Sequence, residues 1–329
     1  MEAVTKKRMM IFSGSAYPEL ADEVAEHLGM RVAGMKRSQF ANGELYARPE
    51  ESVRGADVFL IQSHVSAGDG GMSINDHIME QLLMLDSMRR ASAKRIVAVV
   101  PYYGYSRSDK KTLPREHIGA KLVADMFQAA GADRVMSVDP HTGQIQGFFD
   151  TPMDHLTALP LLEDWIRANV PANERVMVSP DAGRVRMTEK FAANLDCSMA
   201  ILHKRRDPNQ HNESVSLEVI GDVEGKTAIL TDDMIDTAGT ICGSAKLLKE
   251  RGAARVIACA THAIFSGPAK ERLENSEIEQ VVVTNTLPIP PERKPANLIT
   301  LSIAPLLAQA LRAVFDDQSV SELFRGENV

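Results

Sequence analysis

Cysteine is scarce in this 329-residue chain. Cys197, Cys242 and Cys259 show no spacing that a structural metal would need, and an odd count excludes a fully paired disulfide framework. Both facts fit a reducing compartment, and Cys242 and Cys259 lie in apolar patterns typical of a core. Long hydrophobic runs are also missing: none approaches the ~20 residues of a membrane helix. The segment Met1–Arg8 lacks the apolar centre of a secretion signal. A basic excess is absent too, with 37 Lys and Arg against 44 Asp and Glu and a formal charge of −7. That balance argues against a nucleic-acid footprint. Local cation clusters in an acidic chain point instead to small anionic ligands. The expectation is a cytoplasmic protein with neither membrane nor nucleic acid as a partner.

What is present is an ordinary globular composition, 44% hydrophobic and 25% charged. The length favours two domains over one core. Short β-rich runs recur at Met9–Phe12, Val58–Gln62, Ile96–Val100, Val135–Val138, Val176–Val178, Ala228–Leu230, Val256–Ala260 and Val281–Thr284. Helical patterns such as Ile78–Arg90, Ala120–Ala130 and Ala245–Arg251 separate them. The alternation predicts an α/β protein with mainly parallel sheets flanked by helices.

The pattern also repeats. Gly55–Ser63 parallels Gly225–Asp233 at an offset of 170 residues, and Ser92–Ala98 parallels Gly252–Ala258 at an offset of 160. A longer connection around Val65–Met72 in the first half accounts for the difference. The reading is two tandem homologous domains, 1–155 and 156–329, with the last helix free to pack back on the first.

The densest chemical signal is Ala228–Thr240. An apolar run ends in Asp232, Asp233 and Asp236, then passes through Thr237, Ala238, Gly239 and Thr240 into a helical pattern. Unpaired amides at a helix start attract phosphate, and Gly239 allows close backbone approach. Neighbouring carboxylates suit sugar hydroxyls or a phosphate-bound magnesium. Helix capping alone employs one acid, not three.

Other clusters surround that loop in sequence. Ala98–Lys111 leaves a strand and becomes polar, with Tyr102, Tyr103 and Tyr105 available to stack on a base and Arg107, Lys110 and Lys111 to meet phosphates. His141 follows a strand in Val138–Asp150, with Asp139 two residues before it. Asp181 stands at another strand-to-helix turn, as a helix cap or as a ligand. Ile201–Asp207 ends an apolar run in Lys204, Arg205 and Arg206, whose mutual repulsion calls for nearby anions. Gln39–Glu44 carries Asn42-Gly43, a hairpin signal.

Together these segments resemble the ribose-phosphate diphosphokinase family, from about Ile11 to Phe324 and in family order. The acidic loop alone is shared with type I phosphoribosyltransferases, and the resemblance implies their fold for both halves. It implies diphosphoryl transfer from Mg-ATP to the 1-hydroxyl of ribose 5-phosphate, giving AMP and 5-phosphoribosyl 1-diphosphate. It places Asp232, Asp233, Asp236, Thr237, Ala238, Gly239 and Thr240, with Arg206, on ribose 5-phosphate. It assigns Phe40, Asn42, Gly43, Glu44, Arg107 and Ser108 to ATP, the hairpin coming from a neighbouring subunit. His141 and Asp181 become Mg2+ ligands, and Lys204, Arg206 and Arg107 become catalytic. Ser52, Arg54, Gln146, Ser319, Ser321 and Phe324 match a regulatory phosphate site. A homo-oligomer, a hexamer by resemblance, is implied.

The chain departs from the family pattern twice: Ser108 replaces Gln after the loop arginine, and Arg184 replaces a glycine after Asp181. Two alternatives stay open at this point. One is a phosphoribosyltransferase that consumes phosphoribosyl diphosphate; the other is a non-catalytic regulatory homologue.

Overall fold

The structure is a computed structural model, described over residues 7–66, 71–206 and 215–324. The first half runs β1 (Met9–Ser13), α1 (Pro18–His27), β2 (Met35–Gln39), β3 (Leu45–Pro49), β4 (Asp57–Ile61) and α2 (Ile74–Arg90). It continues through β5 (Arg95–Val100), α3 (Gly119–Ala130), β6 (Arg134–Val138) and β7 (Met153–Leu156). The second half runs α4 (Leu159–Asn169), β8 (Arg175–Ser179), α5 (Val185–Asn194), β9 (Ser198–Arg206), β10 (Val215–Ile220) and β11 (Thr227–Ile235). Then come α6 (Gly239–Glu250), β12 (Arg255–Ala263), α7 (Ala269–Glu274), β13 (Gln280–Thr284), β14 (Leu298–Leu301) and α8 (Ala304–Phe315).

The chain divides into two compact units. One comprises the chain up to Thr157 with Thr286–Pro288 and the segment from Ile303; the other is Ala158–Asn285 with Ile289–Ser302. In the first, five strands pair in the order β1-β4-β5-β6-β7, all parallel. In the second, seven pair as β10-β9-β8-β11-β12-β13-β14, antiparallel only at β10–β9. The central strands β4 and β8 are buried at every position. Helices cover both faces of such sheets, so their strands read as unbroken apolar runs rather than alternating ones.

The internal repeat reaches the hydrogen bonds. Asp57 stands opposite Arg95 in β4–β5, as Thr227 stands opposite Arg255 in β11–β12. The Gly55 amide donates to the Ser92 carbonyl and the Gly225 amide to that of Gly252, each at 2.9 Å. Lys94 donates to Ala56, and Ala254 to Lys226. All three correspondences keep the offsets of 170 and 160 read from the sequence. Part of the ten-residue difference lies in the helix itself, since α2 has 17 residues and α6 has 12.

The start of α2 is locally determined. The Ser73 hydroxyl accepts the Asp76 amide while the Asp76 carboxylate accepts the Ser73 amide, a reciprocal capping box. Ser73→Ala is expected to lower unfolding free energy by about 1 kcal/mol. A shift of the urea midpoint with unchanged slope is the expected signature.

Candidate active site

The acidic loop differs from the sequence expectation in one respect. β11 does not stop at Leu230; it runs to Ile235, carrying Asp232 and Asp233 within the strand. Pairing with β12 explains this, because Asp232 stands opposite Ala260 and Met234 opposite His262, extending the ladder past the apolar run. The chain then turns through Asp236 and Thr237. Ala238 adopts φ 59°, in the left-handed region that costs a non-glycine residue energy. It stands at the N-cap of α6, and no side chain caps that helix start. Thr237, Gly239 and Thr240 are exposed there. The first amides of a 12-residue helix therefore open outward with the positive end of its dipole.

Arg184 reaches this loop. Its Nε lies 3.1 Å from Asp232 Oδ1, and its Nη2 contacts Asp233 Oδ1. Asp233 is almost wholly buried, and its amide donates to Asp232 Oδ1. Burial, and then the neighbouring Asp233 carboxyl, push the Asp232 carboxyl well above the usual carboxylate range; Arg184 opposes the shift. The residue that departs from the family pattern thus serves as counter-ion to the acidic pair.

Asp181 acts as a cap, its Oδ1 accepting from the Gly183 amide at 2.8 Å and the Arg184 amide at 3.2 Å. Its side chain is exposed. Lys204 and Arg206 lie on β9, opposite Leu217 and Val215 of β10. The backbone is described there, but their side chains lie outside the described part. The cation run therefore forms the last three residues of β9 and not a turn beyond it, because β10 pairs with all three.

In the first unit, the segment after β5 corrects an expectation. Tyr102 and Tyr103 are core residues, buried and unavailable for base stacking. The Tyr103 hydroxyl donates to the Ala120 carbonyl, and its ring packs beside His64, Phe127 and Phe149. Tyr105 is exposed, and its hydroxyl meets Asn75. Ser108 accepts the Gly119 amide on its hydroxyl and the Ala120 amide on its carbonyl, so it caps α3 from a distance. Arg107 is exposed beside it.

Sequence reasoning missed Asp109. This buried carboxylate accepts from Thr142 Oγ1 and Gln144 Nε2, both at 2.7 Å on Oδ2. It ties the Arg107 loop to the loop that carries half-buried His141. Only its place beside Arg107 in the sequence hinted at this.

Phe40, Asn42, Gly43 and Glu44 form the exposed tip of the β2–β3 hairpin. The Phe40 amide donates to the Glu44 carbonyl, and Gly43 takes φ 93°. The Phe40 ring stands edge-on to Tyr46 at 6.4 Å. Of the residues matched to regulatory phosphate, Gln146, Ser319 and Ser321 line one cavity of about 550 Å3 together with Arg95 and Arg134. Ser52 and Arg54 lie exposed at the turn before β4 and do not line it, and Phe324 is buried.

Among the described residues, no three His, Cys, Asp or Glu side chains gather into a metal cage. Asp181 and His141 are separate donors. Asp181 offers the oxygen that Mg2+ prefers, whereas a His141 nitrogen is an unusual ligand for that ion.

Known proteins resemble this chain along nearly its whole length. Residues 9–131 match the profile of the N-terminal domain of ribose phosphate pyrophosphokinase, and residues 208–325 match a phosphoribosyl synthetase-associated domain. A ribose-phosphate pyrophosphokinase of Streptomyces avermitilis is 53% identical over 319 residues, covering 97% of each chain. That of Mycobacterium tuberculosis (strain H37Rv) is 50% identical over 323 residues, 98% of this chain and 97% of the other. The crystal structure of a phosphoribosylpyrophosphate synthetase from Mycobacterium smegmatis superposes with a TM-score of 0.88 at 51% identity, covering 94% of this chain and all of that one.

Proposed function

The chain belongs to the ribose-phosphate pyrophosphokinase family, and from that premise we propose how its residues divide the reaction. It is an enzyme that transfers the diphosphoryl group of ATP to the 1-hydroxyl of ribose 5-phosphate, releasing AMP. The open start of α6 beside the carboxylates of β11 carries the assignment of the sugar site. Amides and hydroxyls of Thr237, Ala238, Gly239 and Thr240 hold the 5-phosphate, because oriented amides and the helix dipole favour an anion. Asp232 and Asp236 accept hydrogen bonds from ribose hydroxyls and so fix the direction of the 1-hydroxyl. Asp232 shares its carboxylate with Arg184, and a carboxylate has lone pairs for both. Asp233, buried against Arg184, supports its neighbour and does not face the sugar.

On the nucleotide side, Arg107 meets the phosphates, and Ser108 and the Phe40–Glu44 hairpin tip frame the adenosine. The hairpin serves a neighbouring copy in a homo-oligomer, a hexamer by family resemblance. The first domain, without the acidic sugar loop, supplies these ATP-side groups. His141 and Asp181 hold Mg2+, which neutralises phosphate charge when bound. Lys204 and Arg206 stabilise charge that develops on the transferred group, and Arg206 also reaches the sugar phosphate. Transfer of this kind depends on positioning and charge neutralisation, and no nucleophilic side chain is required. Gln146, Ser319 and Ser321 line the cavity we assign to regulatory phosphate, whereas Ser52 and Arg54, matched to the same site by resemblance, stand outside it within one chain, and Phe324 is buried.

The test is AMP release in the presence of Mg2+, assayed with each substrate omitted in turn. The expected result is AMP formed only when both ATP and ribose 5-phosphate are present. AMP formed at the same rate without the sugar would refute the reading. Pyrophosphate release from phosphoribosyl diphosphate and a base would favour a transferase instead.

A further inference from the structure

One cation near the sugar loop has no role in the scheme above. Arg272, exposed on α7, donates from Nη1 to the Thr237 carbonyl at 3.0 Å. The same Nη1 lies 3.2 Å from where a Cβ on Gly239 would sit. It completes a series. The amides of Ile264 and Phe265 donate to the Ile235 carbonyl, and the Ser266 amide donates to that of Asp236. Three consecutive carbonyls, at 235, 236 and 237, are thus all taken by donors from residues 264–272.

That series fixes the direction of the loop's amides. In a trans peptide the N–H points opposite to the C=O of the same plane. Holding the carbonyls of Ile235, Asp236 and Thr237 on one side turns the N–H groups of Asp236, Thr237 and Ala238 to the other. Ala238 follows in the left-handed region at φ 59°, a conformation that persists only where its surroundings impose it. The Thr237–Ala238 peptide is the last one tied before α6 begins, and a guanidinium, not a backbone amide, ties it. At Gly239, whose φ is not positive, a side chain would crowd that guanidinium.

We propose that Arg272 is a positioning residue for ribose 5-phosphate: it aims the Thr237–Ala238 peptide so that the Ala238 amide faces the 5-phosphate. The proposal rests on the sugar site assigned above. Arg272 acts through the Thr237 carbonyl, and its positive charge adds a long-range attraction for the dianion.

Arg272→Ala and Arg272→Lys test it in the full-length enzyme, by steady-state kinetics and by calorimetry with ribose 5-phosphate. Arg272→Ala is expected to raise KM for ribose 5-phosphate roughly tenfold, the equivalent of one charge-assisted hydrogen bond. kcat and KM for ATP should stay within about twofold, the signature of lost ground-state binding. Arg272→Lys should recover part of the affinity, because an ammonium can still donate to the carbonyl. An unchanged KM for ribose 5-phosphate in Arg272→Ala overturns the proposal, as does an equal rise in KM for ATP. Asp236→Asn, titrated in the same calorimeter, reports on the underlying assignment. If Asp236→Asn binds ribose 5-phosphate normally, the sugar site lies elsewhere and both ideas fall. If Asp236→Asn loses affinity while Arg272→Ala keeps it, only the role of Arg272 falls.

Discussion

Lys204→Ala is expected to lower turnover by about 10²–10³-fold, the cost of removing one preorganised charge from a transition state. Ribose 5-phosphate affinity should hold within about twofold, because the lysine acts on charge that develops only during transfer. kcat and kcat/KM should then fall together. The reasoning begins with the sequence. Three adjacent cations repel one another, and they are retained at the end of an apolar strand where an anionic ligand offsets the repulsion. The backbone places Lys204 within β9, paired to Leu217, and not in a solvent turn. AMP release under saturating substrates measures turnover, and calorimetry measures the sugar. Turnover near that of the wild type removes Lys204 from the catalytic group.

Arg184→Ala is expected to cost about 3–5 kcal/mol of unfolding free energy at pH 8, the range found when one partner of a buried ion pair is removed. Its guanidinium is the counter-ion of Asp232 and of nearly buried Asp233. Without it, two carboxylates face each other in a poorly solvated site. The pH dependence has a definite sign. The folded-state pKa of Asp232 is raised from 3.8 to about 8, with burial the first cause. A group raised in the folded state contributes stability that is present below its unfolded value and lost as pH climbs through the folded one. Ligand-free wild-type enzyme should therefore lose stability as pH rises across that window. Arg184→Ala should lose more, since removing the guanidinium raises the carboxyl further. Its deficit should be smallest near pH 5, where a proton replaces the missing charge. Adding Asp232→Asn should restore much of the loss at pH 8. Urea unfolding at the two pH values checks this, and a deficit independent of pH would remove Asp232 from the account.

Much of this architecture was legible in the residues. Strands such as β4, β5 and β8 are short Val- and Ile-rich runs, buried on both faces, and nothing competes with that signal. The repeat was readable because equivalent Gly and Arg positions survive at fixed offsets. The ends of β11 and β9 were not readable. Acids and cations look like strand terminators until a neighbouring strand is known to pair with them, and that pairing is non-local. Tyr102 and Tyr103 misled for a related reason: a polar segment follows them, yet both side chains are buried and the Tyr103 ring lies beside Phe127 of α3. In the site, the loop from Asp232 to Thr240 announced itself by composition. Asp109 and Arg272 did not, because each works through a backbone or amide group distant in sequence. Arg184 was visible only as a departure from a pattern, and its meaning as a counter-ion required coordinates.

The two units also differ in when they can be finished. α8 packs on α1, and Asp317 pairs with Lys7 and Arg95, so the unit containing the first 157 residues also needs the final stretch of chain. During synthesis at roughly 5–20 residues per second, the covering helix follows by on the order of ten seconds. Until then α1, whose Leu20, Ala21 and Val24 are buried in the folded protein, lacks its packing partner α8. Of the two units, the one whose synthesis begins earlier is thus the one completed later.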